Sequence, residues 1–199
     1  MMRASPTLSC AALALLPLLS GCISLAGKPP VQLLTLTSAE QPAPGQTVST
    51  ATAHTLSLEM PVTPAAVAAP RVMVVTRPGA VAYVKGAVWS EAPARQFARV
   101  LSDTIAVRTG RVILSSAQAL GDPGAHLSGE LRSFGIDEAK GEAVVVYNAS
   151  LRRGVDRVYE TRRFEGHAPI GKIDENSVGP ALSAAANQVA AEVADWVGK

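Results

Sequence analysis

The chain has 199 residues, 18 Lys plus Arg against 16 Asp plus Glu for a net charge of +2, and 48% apolar residues at a mean hydropathy of +0.22. That composition suits the packed core of one domain and excludes a wholly disordered chain. The charge is too weak and too scattered for a nucleic-acid surface, and 4% aromatics leave few rings on which bases or sugars would stack.

Residues 1–21 read as an address rather than as part of the fold. Arg3 supplies a short positive region, and residues 8–19 form an apolar run interrupted by Ser9 and Pro17. The run falls short of the roughly 20 apolar residues that span a bilayer. Leu19-Ser20-Gly21-Cys22 follows and resembles the bacterial lipobox. Its small residues enter a narrow peptidase site, and the Cys thiol receives the diacylglycerol. An ordinary signal peptide with a chance Cys, or an N-terminal membrane helix, fits the position and the run length less well. Cleavage would leave Cys22 as the first residue, acylated and held to the membrane by two or three chains. Cys10 would go with the signal, so the mature chain would hold a single Cys, already a thioether, and no disulfide. Its charge would be about +1, nearly neutral. Ile23 and Ser24 follow the Cys where an Asp commonly retains such proteins at the inner membrane. The expected address is the periplasmic face of the outer membrane, with the inner membrane as the alternative.

Residues 22–53 change composition. Lys28-Pro29-Pro30, Gln41-Pro42-Ala43-Pro44-Gly45-Gln46 and Thr47-Val48-Ser49-Thr50 indicate an extended, solvated, flexible tether. Its one apolar patch, residues 31–36, is either an edge strand laid on the domain or a sticky piece of linker. From 54 to 199 strand and helix signals alternate. Residues 56–60 alternate apolar and polar and stop at Pro61. Residues 71–76 are β-rich between Pro70 and Pro78-Gly79, and 81–84 form a third short strand. Ser90 looks like an N-cap with Pro93 in the first turn; Phe97, Val100, Leu101, Ile105 and Arg108 follow at helical spacing to Gly110. Residues 111–114 are again a strand. Three longer strands, 126–136, 142–152 and 158–164, are separated by breaks short enough for an antiparallel meander. Ser177 or Asn176 caps a last helix with Pro180 in its first turn and a stripe of Leu182, Ala186, Val189, Val193 and Trp196. The predicted fold is α+β: one domain, a mixed sheet covered mainly by two long helices, behind the signal peptide and tether.

Catalytic and metal motifs are missing from the sequence. There is no Gly-x-Ser-x-Gly, no P-loop and no Cys/His group at zinc spacing, so no catalytic residue, cofactor or metal ligand is expected. His54 borders the tether, His126 opens a strand and His167 follows a strand end, all read as surface or edge residues. Asp137 and Glu138 sit beside Lys140 in a solvated turn rather than as an acid/base pair. Arg152, Arg153, Arg157, Arg162 and Arg163 gather round one turn. They are either a contact for anionic head groups or an acidic partner, or a solvated hairpin balanced by Asp156, Glu160 and Glu165, and the small local charge favours the second.

Several short motifs together resemble the ABC-type transport auxiliary lipoproteins, a family that includes paraquat-inducible protein C. Leu34-Thr35-Leu36 matches its first strand, Leu58-Glu59-Met60-Pro61 its Pro-ended segment, and residues 71–77 the next strand. Tyr83 and Trp89-Ser90-Glu91-Ala92-Pro93 match its loop and helix start, with Tyr83, Trp89, Glu91 and Pro93 as motif or partner-contact residues. The match departs at Val31-Gln32-Leu33, where the family usually carries tyrosine. The resemblance implies a non-catalytic subunit of an intermembrane lipid transporter. Its partners would be an inner-membrane permease, a cytoplasmic ATPase and a periplasmic protein with mammalian-cell-entry (MCE) domains, which it would dock at the outer membrane. Self-association is left open. A structural lipoprotein assisting outer-membrane or lipopolysaccharide-transport assembly is the alternative from another class, and an enzyme the third. Trp89, just before Ser90, would either staple over Ala94 near Phe97 or face a partner.

Overall fold

The computed structural model describes residues 32–121, 124–154 and 158–199. The expected signal peptide, Cys22 and the first part of the tether lie outside the described residues, as do Asp156 and Arg157.

The domain is a single α/β unit built on one mixed sheet of seven strands with helices on one face. β1 is Thr55–Leu58, β2 Arg71–Arg77, β3 Ala80–Val88, β4 Val112–Leu114, β5 Ala125–Asp137, β6 Glu142–Arg152 and β7 Glu160–Pro169. β5, β6 and β7 form the predicted antiparallel meander. At 13 residues β5 extends about 43 Å, long enough for two partners end to end on its other edge. β1 pairs parallel with its start, Leu56 opposite Ala125, and β2 pairs parallel with its end, Met73 opposite Gly135. An isolated bridge between Val62 and Glu130 lies between them.

The apolar parity of β5 changes partway along: Leu127 and Leu131 are buried, then Phe134 and Ile136. The ladder to β6 shifts register between Leu131 and Ser133, so Arg132 is the extra residue of a β-bulge. The bulge keeps both halves of the strand facing the helices, opposite Val145, Tyr147, Ala149 and Leu151 of β6.

Three helices complete the domain: α1 Ala65–Ala68, α2 Pro93–Thr109 and α3 Val178–Val197. α2 buries Phe97, Val100, Leu101 and Ile105 and ends at Gly110, whose φ of 66° supplies the left-handed cap. α3 buries the whole predicted stripe from Leu182 to Trp196. It lies so close to β7 that a methyl group at Gly166 would collide with the Ala185 carbonyl oxygen. No described helix is long and apolar enough to cross a membrane.

Some local expectations change. The N-cap of α2 is Ala92 rather than Ser90: the Ala92 carbonyl accepts the Arg95 and Gln96 N–H groups, and Pro93 opens the helix. Ser177 is the cap residue of α3 but its side chain makes no cap bond to the helix. The Asp174 carboxylate takes that part, accepting the N–H groups of Asn176 and Ser177 at 3.1 and 3.0 Å. Hydrogen bonds from Lys172 and Ser177 hold that carboxyl below its usual range. β7 begins at Glu160 and runs past Phe164 to Pro169, since Gly166 and Ala168 continue its alternation against α3. α1, between Pro64 and Pro70, carries too few residues for a periodic signal.

Candidate functional site

Where β3 leaves the sheet, the chain brings together the residues that carried the family resemblance. Trp89 is 4% exposed, with its ring 5.4 Å from that of Phe134 and tilted by 53°. It therefore anchors the core and does not staple over Ala94. With Ala92 as the cap and Pro93 opening the helix, the stapling position falls on Glu91, and Trp89 lies ahead of it. The Trp89 backbone N–H donates to the Pro70 carbonyl, holding β3's exit against the start of β2. Pro93 is buried at the first turn of α2. Tyr83 is half-buried: the Arg71 guanidinium lies 4.7 Å above its ring, and its hydroxyl donates to the Ala66 carbonyl at 3.4 Å. Glu91 receives Arg99 at 2.6 Å and stands 3.8 Å from Arg95, tying the helix entrance to α2.

The same corner grips the N-terminal segment. The Leu34 N–H donates to the Val88 carbonyl, and the Ser90 N–H returns to the Leu34 carbonyl, a one-residue parallel bridge to Trp89. The Leu34 side chain rests on Gly179 of α3, where a Cβ would lie 3.1 Å from it. Gln96, 1% exposed beside Phe97 on α2, accepts the Leu36 N–H at 2.7 Å and donates to the Glu91 carbonyl at 2.9 Å. Further along, Ser38 donates to Asp103 at 2.6 Å. Asn187 of α3 accepts the Ala39 N–H and donates to the Thr37 carbonyl, at 2.7 and 2.8 Å. Arg108 bonds Glu40 through two of its nitrogens and Asp195 through a third, and these bonds hold the guanidinium even further above its ordinary pKa. Residues 34–40 thus form a strap across both long helices. It is neither the edge strand nor the loose linker considered from the sequence.

Residues 34–194 match the model of the ABC-type transport auxiliary lipoprotein component. The chain belongs to that family. The match begins where the strap meets its clamp. Among solved structures, a Xanthomonas campestris protein of the family DUF330 is similar at 19% identity and a TM-score of 0.66, covering 83% of this chain and 94% of that one. A second, an uncharacterized protein, has 15% identity and a TM-score of 0.63, covering 83% of this chain and 99% of that one. Both show the shared fold. No curated protein matches the chain.

The remaining predicted residues do not converge on the strap. His126 shares a 2.7 Å hydrogen bond with Ser57 through Nδ1 and lies 3.4 Å from Glu59 through Nε2. This arrangement has the members of a nucleophilic triad, but Ser57 stands mid-strand, paired with Leu114 on one side and His126 on the other. It lacks the sharp turn that exposes a nucleophile, and the group clips β1 to β5. His167 sits between Glu142, at 3.0 Å, and Glu165, at 3.6 Å, while His54 is exposed. The described residues hold no cluster of His, Cys, Asp or Glu suited to a metal. Asp137 accepts the Lys140 N–H and forms the expected polar turn. In the arginine group, Arg153 pairs with Glu160 and donates to the Trp196 and Val197 carbonyls at the end of α3, Arg163 pairs with Glu165, and Arg162 lies over Phe164. Hydrogen bonds from these arginines hold the Glu160 and Glu165 carboxyls below their usual range.

Sequence reasoning missed the partners of the strap: Gln96, Asp103, Arg108 and Asn187. Gln96 carried a usable signal, a polar residue next to Phe97 inside the apolar stripe of α2. Asp103 and Asn187 look like ordinary solvated positions, and Arg108, the last step of the α2 spacing, gives no sign of a partner in the sequence.

Proposed function

We propose that this chain is the non-catalytic, lipid-anchored subunit of an ABC-type intermembrane lipid transport system, docking an MCE-domain periplasmic protein at the outer membrane. Membership of the transport auxiliary family carries the reading. The strap adds a physical reason why an anchor would serve such a role. Acyl chains on Cys22 would pull on the domain through residues 23–33, and the first residue to take the load would be Leu34, already bonded to Val88 and Ser90. Twelve residues from Cys22 to Leu34 reach at most about 40 Å, so the domain would ride within that distance of the bilayer. ATP hydrolysis belongs to the ATPase partner, and the auxiliary subunit supplies position.

Tagged full-length protein, gently extracted from envelopes in detergent, is expected to bring down an MCE-domain protein and the permease. Recovery of no transporter component would defeat the docking role. Cys22→Ser is expected to remove fatty-acid labelling and release the chain from the outer-membrane fraction, because sulfur is the attachment atom. A labelled Cys22→Ser protein would overturn the anchor assignment.

A further inference from the structure

Where β1, β4 and β5 begin, the structure forms a polar cavity of about 510 Å³. Thr50, His54, Thr55, Arg111, Gly124 and Arg153 line it, and among the described residues no acidic side chain does. The two guanidiniums are differently engaged. Arg153 directs Nε and Nη2 to Glu160, Nη1 to the Val197 carbonyl and Nη2 to the Trp196 carbonyl, leaving one of its five N–H groups. Arg111 makes a single side-chain bond among the described residues, Nη1 to the Thr55 carbonyl at 3.3 Å, and no described carboxylate lies within ion-pair distance. Partial burial, and then the positive charge of Arg153, pull the Arg111 pKa below its ordinary value. The guanidinium stays charged there with less compensation than an exposed arginine has, and an anion in the cavity would offset both causes.

We infer that this cavity is a binding site for a phosphoryl anion, with Arg111 as the principal ligand and Arg153 and His54 completing it. The donors arrive from three elements: Arg111 from the end of α2 and start of β4, Arg153 from the end of β6, and His54 from the approach to β1. Convergence from several directions suits a tetrahedral oxyanion better than the two coplanar oxygens of a carboxylate. The volume leaves room for an organic substituent on the phosphorus. The phosphoryl group would come either from a glycerophospholipid head group or from free phosphate.

The test uses full-length protein in a phosphorus-free non-ionic detergent, titrated in separate arms with inorganic phosphate and with glycerophosphoglycerol. Calorimetry and the Nε–Hε resonance of Arg111 are the readouts. Saturable binding that moves the Arg111 resonance is expected, weakened about tenfold or more by Arg111→Gln and less than about twofold by Arg162→Gln, whose guanidinium lies over Phe164 outside the cavity. Tighter binding of glycerophosphoglycerol identifies a head group as the source, and tighter binding of phosphate identifies the free ion. No saturation by either probe up to about 10 mM, or binding that Arg111→Gln leaves unchanged, overturns the site. Should Arg111→Gln fold poorly, the wild-type resonance decides alone: an Arg111 signal that stays in place under both probes overturns it equally.

Discussion

Residues 34–40 and residues 41–53 both carry Thr, Ser and Ala and lie side by side in the sequence, yet they differ in structure. The first stretch is fixed to two helices through backbone and side-chain bonds, while residues 41–52 are exposed with the half-buried Ala53 closing the run only as β1 approaches. Leu34 and Leu36 mark the first stretch and Pro42, Pro44 and Gly45 the second, but neither pattern by itself says that the first is held down on helices. The difference lies in the elements beneath: Gln96, Asp103, Arg108 and Asn187 project from α2 and α3 where the first stretch passes. A strap is thus specified by its partners, 60 or more residues away in sequence.

The largest test of this contrast is Trp89→Ala. Removing a ring packed on Phe134 in the core is expected to cost about 3–5 kcal/mol. For a chain of this size that lowers the melting temperature by roughly 6–20 °C. The Leu34 bridge should open with it, because the backbone of Val88, Trp89 and Ser90 forms the clamp. Calorimetry, with amide exchange at Leu34, measures both effects. Near-normal stability would show that Trp89 does not hold this corner.

Gln96→Leu addresses the strap more selectively. It fills the same buried volume but leaves the Leu36 N–H and the Glu91 carbonyl without their partner, at about 1–3 kcal/mol. Chemical denaturation should report that loss, and the Leu36 amide should lose its exchange protection while amides of β5 keep theirs. Retained protection at Leu36 would mean that its bond to Gln96 does not secure the strap.

The Glu40–Arg108 pair closes the far end of the strap, and its expected contribution is smaller. Both side chains are about one-third exposed, so solvent screens the pair despite its 2.6 Å approach. A double-mutant cycle with Glu40→Gln and Arg108→Gln should give a coupling below about 1 kcal/mol, diminishing at high salt. Coupling that persists at high salt would instead point to a desolvated pair.

Much of the fold was legible because burial imposes periodicity. The α3 stripe, the α2 face and the β5–β7 meander each repeat an apolar signal that only one geometry satisfies. The β5 bulge left a trace too, in the parity change from Leu131 to Phe134, although a parity change alone does not say where the extra residue stands. Trp89 could be placed beside the start of α2, but its burial against Phe134 depends on a strand 45 residues later. The strap was the least legible region. A single bridge at Leu34 has no period, and Asp103, Arg108 and Asn187 resemble any solvated face until the strap crosses them.

The smallest expected effect comes from lengthening the exposed half of the segment. Fourteen residues separate Glu40 from Thr55, and both ends are held, the first by Arg108 and the second by the β1 ladder. Inserting Gly-Ser-Gly-Ser between Pro44 and Gly45 raises the loop to about 18 residues, and the closure entropy changes by only about 0.2 kcal/mol. The backbone there makes a local turn through the Gln46 N–H and the Ala43 carbonyl, so little else is at risk. The same four residues between Thr37 and Ser38 would displace Ser38 from Asp103, Ala39 from Asn187 and Glu40 from Arg108, costing about 1–3 kcal/mol. Melting curves of the two insertions, recorded side by side, should therefore diverge although the inserted sequence is identical. Equal melting temperatures would show that the bonds of residues 38–40 do not distinguish the strap from the loop that follows it.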